Sequence, residues 1–174
     1  ITIAAAGAAG IKATGDANVT FVSASLSGGS NLGSGTPTVT NNAGVITAMP
    51  FDNAELSDFA ESLDTHFWGP LHVIRAALPW LRRQPISHII NVSSIGGRVG
   101  VPHLAPYCAG KFALAGLSEV LRAELAGDGV WVTLATPGLM RTGSVGNVRV
   151  RGDHVAEARW FAALSATPLT SQHA

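Results

Sequence analysis

The stretch from His88 to Lys111, HIINVSSIGGRVGVPHLAPYCAGK, decides the fold. Its first five residues, His88 to Val92, form a short apolar run that reads as a buried strand. The run stops at Ser93-Ser94, and a helix is expected from Ala105 to Leu125. Tyr107 and Lys111 are four residues apart on that helix and so share one face. A phenol has a pKa of about 10 and is a poor base at neutral pH. A neighbouring ammonium favours the phenolate. So tuned, a tyrosine can take a proton from an alcohol or give one to a carbonyl. A serine hydroxyl at the strand tip, Ser94, can hold the substrate oxygen in line.

Working outward, Asn53 to Arg83 carries an apolar stripe at helical spacing: Leu56, Phe59, Leu63, Phe67, Leu71, Ile74, Leu78 and Leu81. Gly69-Pro70 is expected to kink it. Val130 to Ala135 reads as a strand ended by Pro137-Gly138, and about Asp153 to Leu164 as a tail helix. Before the decisive stretch, Ile1 to Ala6 reads as a buried strand entering a glycine turn at Gly7 to Gly10, and Val19 to Ala24 as a second strand. Ser25 to Pro37 reads as loop. Thr38 to Thr40 is a weak strand entering Asn41-Asn42-Ala43-Gly44. Strands alternating with long helices imply a three-layer α/β fold, doubly wound, with a mainly parallel sheet. Such sheets bind ligands beyond the carboxyl ends of their strands, where Ser93-Ser94, Asn41 to Gly44 and Pro137 to Thr142 fall.

Composition bounds the function. The 174 residues are 47% hydrophobic with formal net charge zero, and no basic stripe points to nucleic acid. No stretch is long and apolar enough for a membrane span. The single cysteine, Cys108, excludes an internal disulfide framework and fits a reducing, cytoplasmic setting. Ile1 to Gly10 lacks the basic start of a signal peptide. The histidines show no metal-ligand spacing, so no metal is expected.

Four motifs in order, Asn41-Asn42-Ala43-Gly44, Asn91-Val92-Ser93-Ser94, Tyr107-x-x-x-Lys111 and Pro137-Gly138-x-x-x-Thr142, resemble those of the short-chain dehydrogenase/reductase family. The resemblance covers roughly Val19 to Thr170. It implies a Rossmann-like domain and an oxidoreductase moving hydride between NAD or NADP and an alcohol or carbonyl substrate. In that scheme Tyr107 is the general acid/base. Lys111 binds the nicotinamide ribose and lowers the pKa of Tyr107, and Ser94 orients the substrate. Asn42, Ala43 and Gly44 line the adenine side; Pro137, Gly138 and Thr142 flank nicotinamide and diphosphate; Gly7, Gly10 and Ile11 stand at the phosphate turn. The resemblance also implies a homodimer or homotetramer built on the two long helices. Residues 140–174 would be a substrate lid, and the apolar Leu139, Met140, Trp160, Phe161 and Leu164 suggest a hydrophobic substrate.

Three departures qualify this picture. Ala6 and Lys12 stand where the phosphate turn expects glycines, which let backbone amides approach a pyrophosphate. Only Lys12 to Asn18 separates that turn from the next strand, too few residues for a βαβ unit. Residues 1–52 therefore read as a reduced cofactor-binding half of an incomplete single domain, with residues 53–139 as catalytic core. The family's first crossover helix, second strand and last strands are expected to be absent, and Ser25 stands where an adenine-contacting Asp is expected. Finally, His66 occupies the place of a family Asn that helps hold a relay water, and would replace that relay or interrupt it.

Blander readings stand beside these. Ser93 reads as a strand-end hydrogen-bonder, Tyr107 and Lys111 could be a surface pair, and His66 a packing histidine. A non-catalytic family descendant using its long helices as an interaction surface is the alternative function. A serine hydrolase lacks a Gly-x-Ser-x-Gly elbow at Ser94.

Overall fold

The computed structural model describes residues 2–6, 10–14, 24–27, 36–138, 140–141, 148–164 and 169–170, with side chains described over 36–138 and 148–163. In chain order the strands are β1 (Thr2–Ala6), β2 (Gly10–Thr14), β3 (Ala24–Ser27), β4 (Thr38–Asn41) and β5 (Thr47–Ala48). Then come α1 (Leu56–Leu63), a π-helical turn (Asp64–Trp68) and α2 (Gly69–Leu81). They are followed by β6 (Ser87–Val92), α3 (Ala105–Leu125), β7 (Val130–Ala135), β8 (Met140–Arg141), β9 (Arg149–Val150), α4 (His154–Leu164) and β10 (Leu169–Thr170).

The central sheet runs β3-β4-β6-β7. β4, β6 and β7 are parallel, and β3 joins β4 antiparallel. β4 and β6 alternate buried and half-buried positions, as strands covered by helices do, while β7 alternates buried with exposed ones over Val130 to Thr133. Val39, Ile89, Val130 and Val132 meet Val73, Ile74, Ala77 and Leu81 of α2 and Leu125 of α3 in the main core. This is the Rossmann-like α/β architecture expected, with a partial sheet.

The amino-terminal part differs from expectation. Gly10 and Ile11 do not form a turn leading into a helix. They lie on β2, opposite Ala6 and Ala5 of β1, in an antiparallel ladder. Gly7 itself is outside the described residues. Ser25 is not a loop residue but pairs with Thr40 inside β3. Of the strand expected at Val19 to Ala24, only Ala24 is described, as the first residue of β3.

The long helix is also interrupted earlier than the sequence suggests. The break is the π turn at Asp64–Trp68, closed by the Gly69 N–H donating to the Asp64 carbonyl, and α2 restarts with Pro70 in its first turn. Pro70 has no N–H to give, and its ring would crowd the carbonyl four residues back. A widened turn there absorbs both problems.

Candidate active site

Three neighbouring segments build the site at the carboxyl end of β6. The strand is followed by Ser93 and Ser94, and Ser94 caps the short 3-10 turn Ile95–Gly97 by accepting a hydrogen bond from the Gly96 N–H at 3.2 Å. α3 begins eight residues later and presents Tyr107 on its first turn and Lys111 on its second. The Ile95 N–H donates to the Pro137 carbonyl at 3.0 Å, which brings the loop after β7 alongside.

Glycines let these pieces approach. A Cβ at Gly96 would lie 3.0 Å from the Tyr107 ring. One at Gly97 would strike the Ser93 hydroxyl and the Lys111 carbonyl. The Ser93 hydroxyl donates to that carbonyl at 3.1 Å and so pins β6 to α3, while Ser94 is the serine whose side chain favours the Tyr107 phenolate.

Lys111 is almost fully buried and donates from Nζ to the Val92 carbonyl at 3.0 Å. Its Nζ lies 5.9 Å from the centroid of the Tyr107 ring. Burial lowers the lysine pKa to about 8. The expected lowering of Tyr107 by Lys111 does not appear in this geometry. Burial raises the phenol above its ordinary 10.0, and the Ser94 hydrogen bond only opposes that rise. Desolvation of the phenolate outweighs the help from its neighbours.

His66, fully buried in the π turn, meets the Tyr107 ring edge-on, with centroids 5.2 Å apart. Its Nε2 accepts from the Val45 N–H at 3.2 Å and its Nδ1 lies 3.1 Å from the Ser62 hydroxyl. That hydroxyl donates to the Pro106 carbonyl at 2.7 Å. Burial and then the Lys111 charge lower the His66 pKa to about 3, against the favourable pull of the Ser62 backbone.

Behind the site runs a buried polar ladder. Asn41 donates to Asn91 at 2.7 Å, Asn91 to Ser118 at 2.9 Å, and Ser118 to the Leu114 carbonyl at 2.7 Å. Asn41 thus supports the strand, while Asn42 and Gly44 are exposed and Ala43 half-buried in the loop beyond it. On the other side, Leu104, Cys108, Ala48 and Phe161 form a second apolar cluster, against which Tyr107, Trp160 and Val148 pack. His103 holds α4 there: its Nδ1 pairs with buried Glu157 at 2.6 Å and its ring stacks on Trp160.

The residues fit a dinucleotide at its nicotinamide end. Lys111 has three donors and spends one on Val92, and Gly138 has nothing within 4 Å of where a Cβ would stand. They do not form a glycine turn for the diphosphate, because Gly10 and Ile11 are on β2. Leu139 and Thr142 lie outside the described residues.

Sequence reasoning missed Ser62, His103 and Glu157. The spacing of four between Ser62 and His66 was a usable signal. Nothing local links His103 to a partner 54 residues away.

Comparison with known proteins places the chain in a family. The family model described as short chain dehydrogenase matches residues 36–151. The chain is 38% identical over 109 residues to Oxidoreductase BOA17 of Botryotinia fuckeliana, covering 63% of this chain and 40% of that protein. A short-chain dehydrogenase from Streptomyces avermitilis superposes with a TM-score of 0.67 at 29% identity, over 76% of this chain and 51% of that one. A gluconate 5-dehydrogenase from Burkholderia cenocepacia, in complex with NADP and tartrate, does so with a TM-score of 0.60 at 25% identity, over 72% and 48%. The chain therefore spans well under two thirds of the length of these relatives. With the family model matching residues 36–151, more than half of its length, the chain belongs to the short chain dehydrogenase family.

Proposed function

We propose that the protein is an NAD- or NADP-dependent oxidoreductase acting on an apolar alcohol or carbonyl compound, with Tyr107 as general acid/base. The observation that carries this reading is Tyr107 and buried Lys111 on one face of α3, the ammonium 5.9 Å from the phenol ring, beside Ser94 at the carboxyl end of β6. A family relative binds NADP, which supports the cofactor class. A bound nicotinamide supplies or accepts the hydride. Ser94 donates to the substrate oxygen and keeps it beside the phenol. Tyr107 passes the proton at its Oη; raised above 10.0, it is a neutral phenol at pH 7 and ready to donate to a carbonyl oxygen. Lys111 offers its remaining N–H groups to the ribose. Asn42, Ala43, Gly44, Pro137, Gly138 and Thr142 would line the dinucleotide. The apolar cluster around Leu104, Trp160 and Phe161 beside Tyr107 supports a hydrophobic substrate. The lone Cys108 thiol suits the cytoplasm.

The test is direct. NADH or NADPH should quench the protein's tryptophan fluorescence, and Tyr107→Phe should keep that binding while turnover of a panel of apolar ketones and alcohols falls at least about a hundredfold. Absence of binding to either nucleotide at millimolar concentration rejects the reading.

A second reading, a non-catalytic interaction module, is favoured by one observation: the strand geometry of Gly10 and Ile11. Exposed Leu56, Trp68 and Phe112 on the long helices would then form a homodimer or homotetramer surface. It predicts oligomers that persist in Tyr107→Phe without nucleotide binding.

A further inference from the structure

Four groups from four parts of the fold stand in one continuous line beside Tyr107. They are the Val45 amide after β4, the His66 ring in the π turn, the Ser62 hydroxyl on α1 and the Pro106 carbonyl in the first turn of α3. We propose that Ser62 and His66 form a static strut that positions Tyr107 and the Asn42–Gly44 loop, and that no proton relay passes through the His66 imidazole.

The directions of the hydrogen bonds carry the argument. The Val45 N–H can only donate, so His66 Nε2 must accept and carries no proton. A neutral ring then has its proton on Nδ1, which donates toward Ser62. The Ser62 hydroxyl, receiving that proton as an acceptor, donates its own to the Pro106 carbonyl. Every donor and acceptor of the two side chains has a role, and only one tautomer satisfies them all. The line also ends badly for a relay. A backbone amide at one end does not surrender its proton near neutral pH, and a carbonyl at the other has none to pass on.

Packing makes the line rigid. Ser62 and His66 are buried, and α3 comes so close that a Cβ at Gly110 would lie 2.9 Å from the Ser62 hydroxyl and 3.0 Å from His66 Cβ. Pro106 immediately precedes Tyr107, so the Ser62 bond sets the turn from which the phenol projects. Ser62 is thus a positioning residue acting through Pro106, and His66 one acting through Val45 and the edge of the Tyr107 ring. The charged and titratable groups packed around this line are Lys111, Tyr107 and Cys108, all on α3.

The inference rests on the proposed oxidoreductase for its catalytic meaning, but its test does not need turnover. Nitrogen-15 imidazole spectra of the full chain, with the His66 signal assigned by its loss in His66→Gln, should show a proton on Nδ1 only and no titration between about pH 5 and 9. Tyr107 is the sole tyrosine, so tyrosinate absorbance reads its pKa directly. Ser62→Ala should move that titration down toward 10, because a phenol no longer held in place gains solvent. A proton on Nε2, a titration of His66 within that range, or an unchanged Tyr107 titration in Ser62→Ala overturns the proposal. If these spectra come out as expected while neither nucleotide binds, the strut stands and the oxidoreductase reading falls.

Discussion

Lys111 reaches across from α3 to hydrogen-bond the backbone carbonyl of Val92, the last residue of β6, at 3.0 Å. One bond to a neutral carbonyl satisfies part of a buried ammonium but does not neutralise it. Burial therefore lowers the lysine pKa to about 8. Between that value and the unfolded value near 10.5, the unfolded chain binds the extra proton, so this group's contribution to stability rises with pH. Denaturant unfolding should find Lys111→Met more favourable relative to wild type at pH 7 than at pH 10. An unchanged difference between the two pH values would contradict the buried-charge account.

His66 has a consequence of the same sign, on the acid side. Its folded pKa, lowered to about 3 from 6.5, means the unfolded chain takes up the proton first as pH falls. The stability it contributes is complete above pH 6.5 and is lost progressively down to about 3. His66→Gln should lower Tm at pH 7 yet flatten its decline between those limits. Calorimetry across that range measures both effects.

Two glycines of α3 should respond in opposite ways to alanine. At Gly110 a Cβ would meet the Ser62 carbonyl at 3.0 Å, backbone that cannot step aside, and overpacking of this kind costs about 1–3 kcal/mol. At Gly116 nothing lies within 4 Å, and alanine should stabilise the helix by up to about 1 kcal/mol. Chemical denaturation of the two variants makes the comparison.

The buried polar ladder predicts a cost for removing its middle member. Asn91→Ala strands the Asn41 amide and deprives Ser118 of its donor, and unsatisfied buried groups cost about 1–3 kcal/mol each. Asn41 Oδ1 already lacks a partner, so the Asn41 side has little to fall back on. Unfolding free energies of Asn91→Ala and Ser118→Ala should differ accordingly, with Asn91→Ala the larger loss.

The attachment of α4 rests on His103 and Glu157. Glu157 is buried, and the pair is closed at 2.6 Å with Trp160 stacked on the imidazole. His103→Ala should leave a carboxylate without its partner in an apolar setting and loosen α4. Limited proteolysis should then cut within residues 148–164 faster than in wild type while α3 stays protected.

Much of this protein could be read from its residues alone. The helix over Ala105–Leu125 and the strand over Val130–Ala135 fall where periodicity places them, because each buries one continuous apolar face. The Tyr107–Lys111 spacing is local geometry and needs no tertiary information. What lies between segments does not follow from local pattern. The Val45–His66–Ser62–Pro106 line joins residues from distant parts of the chain. Even the sign of the Tyr107 shift was beyond the sequence. An adjacent ammonium argues for a lowered pKa, but burial, which only the assembled fold creates, raises it.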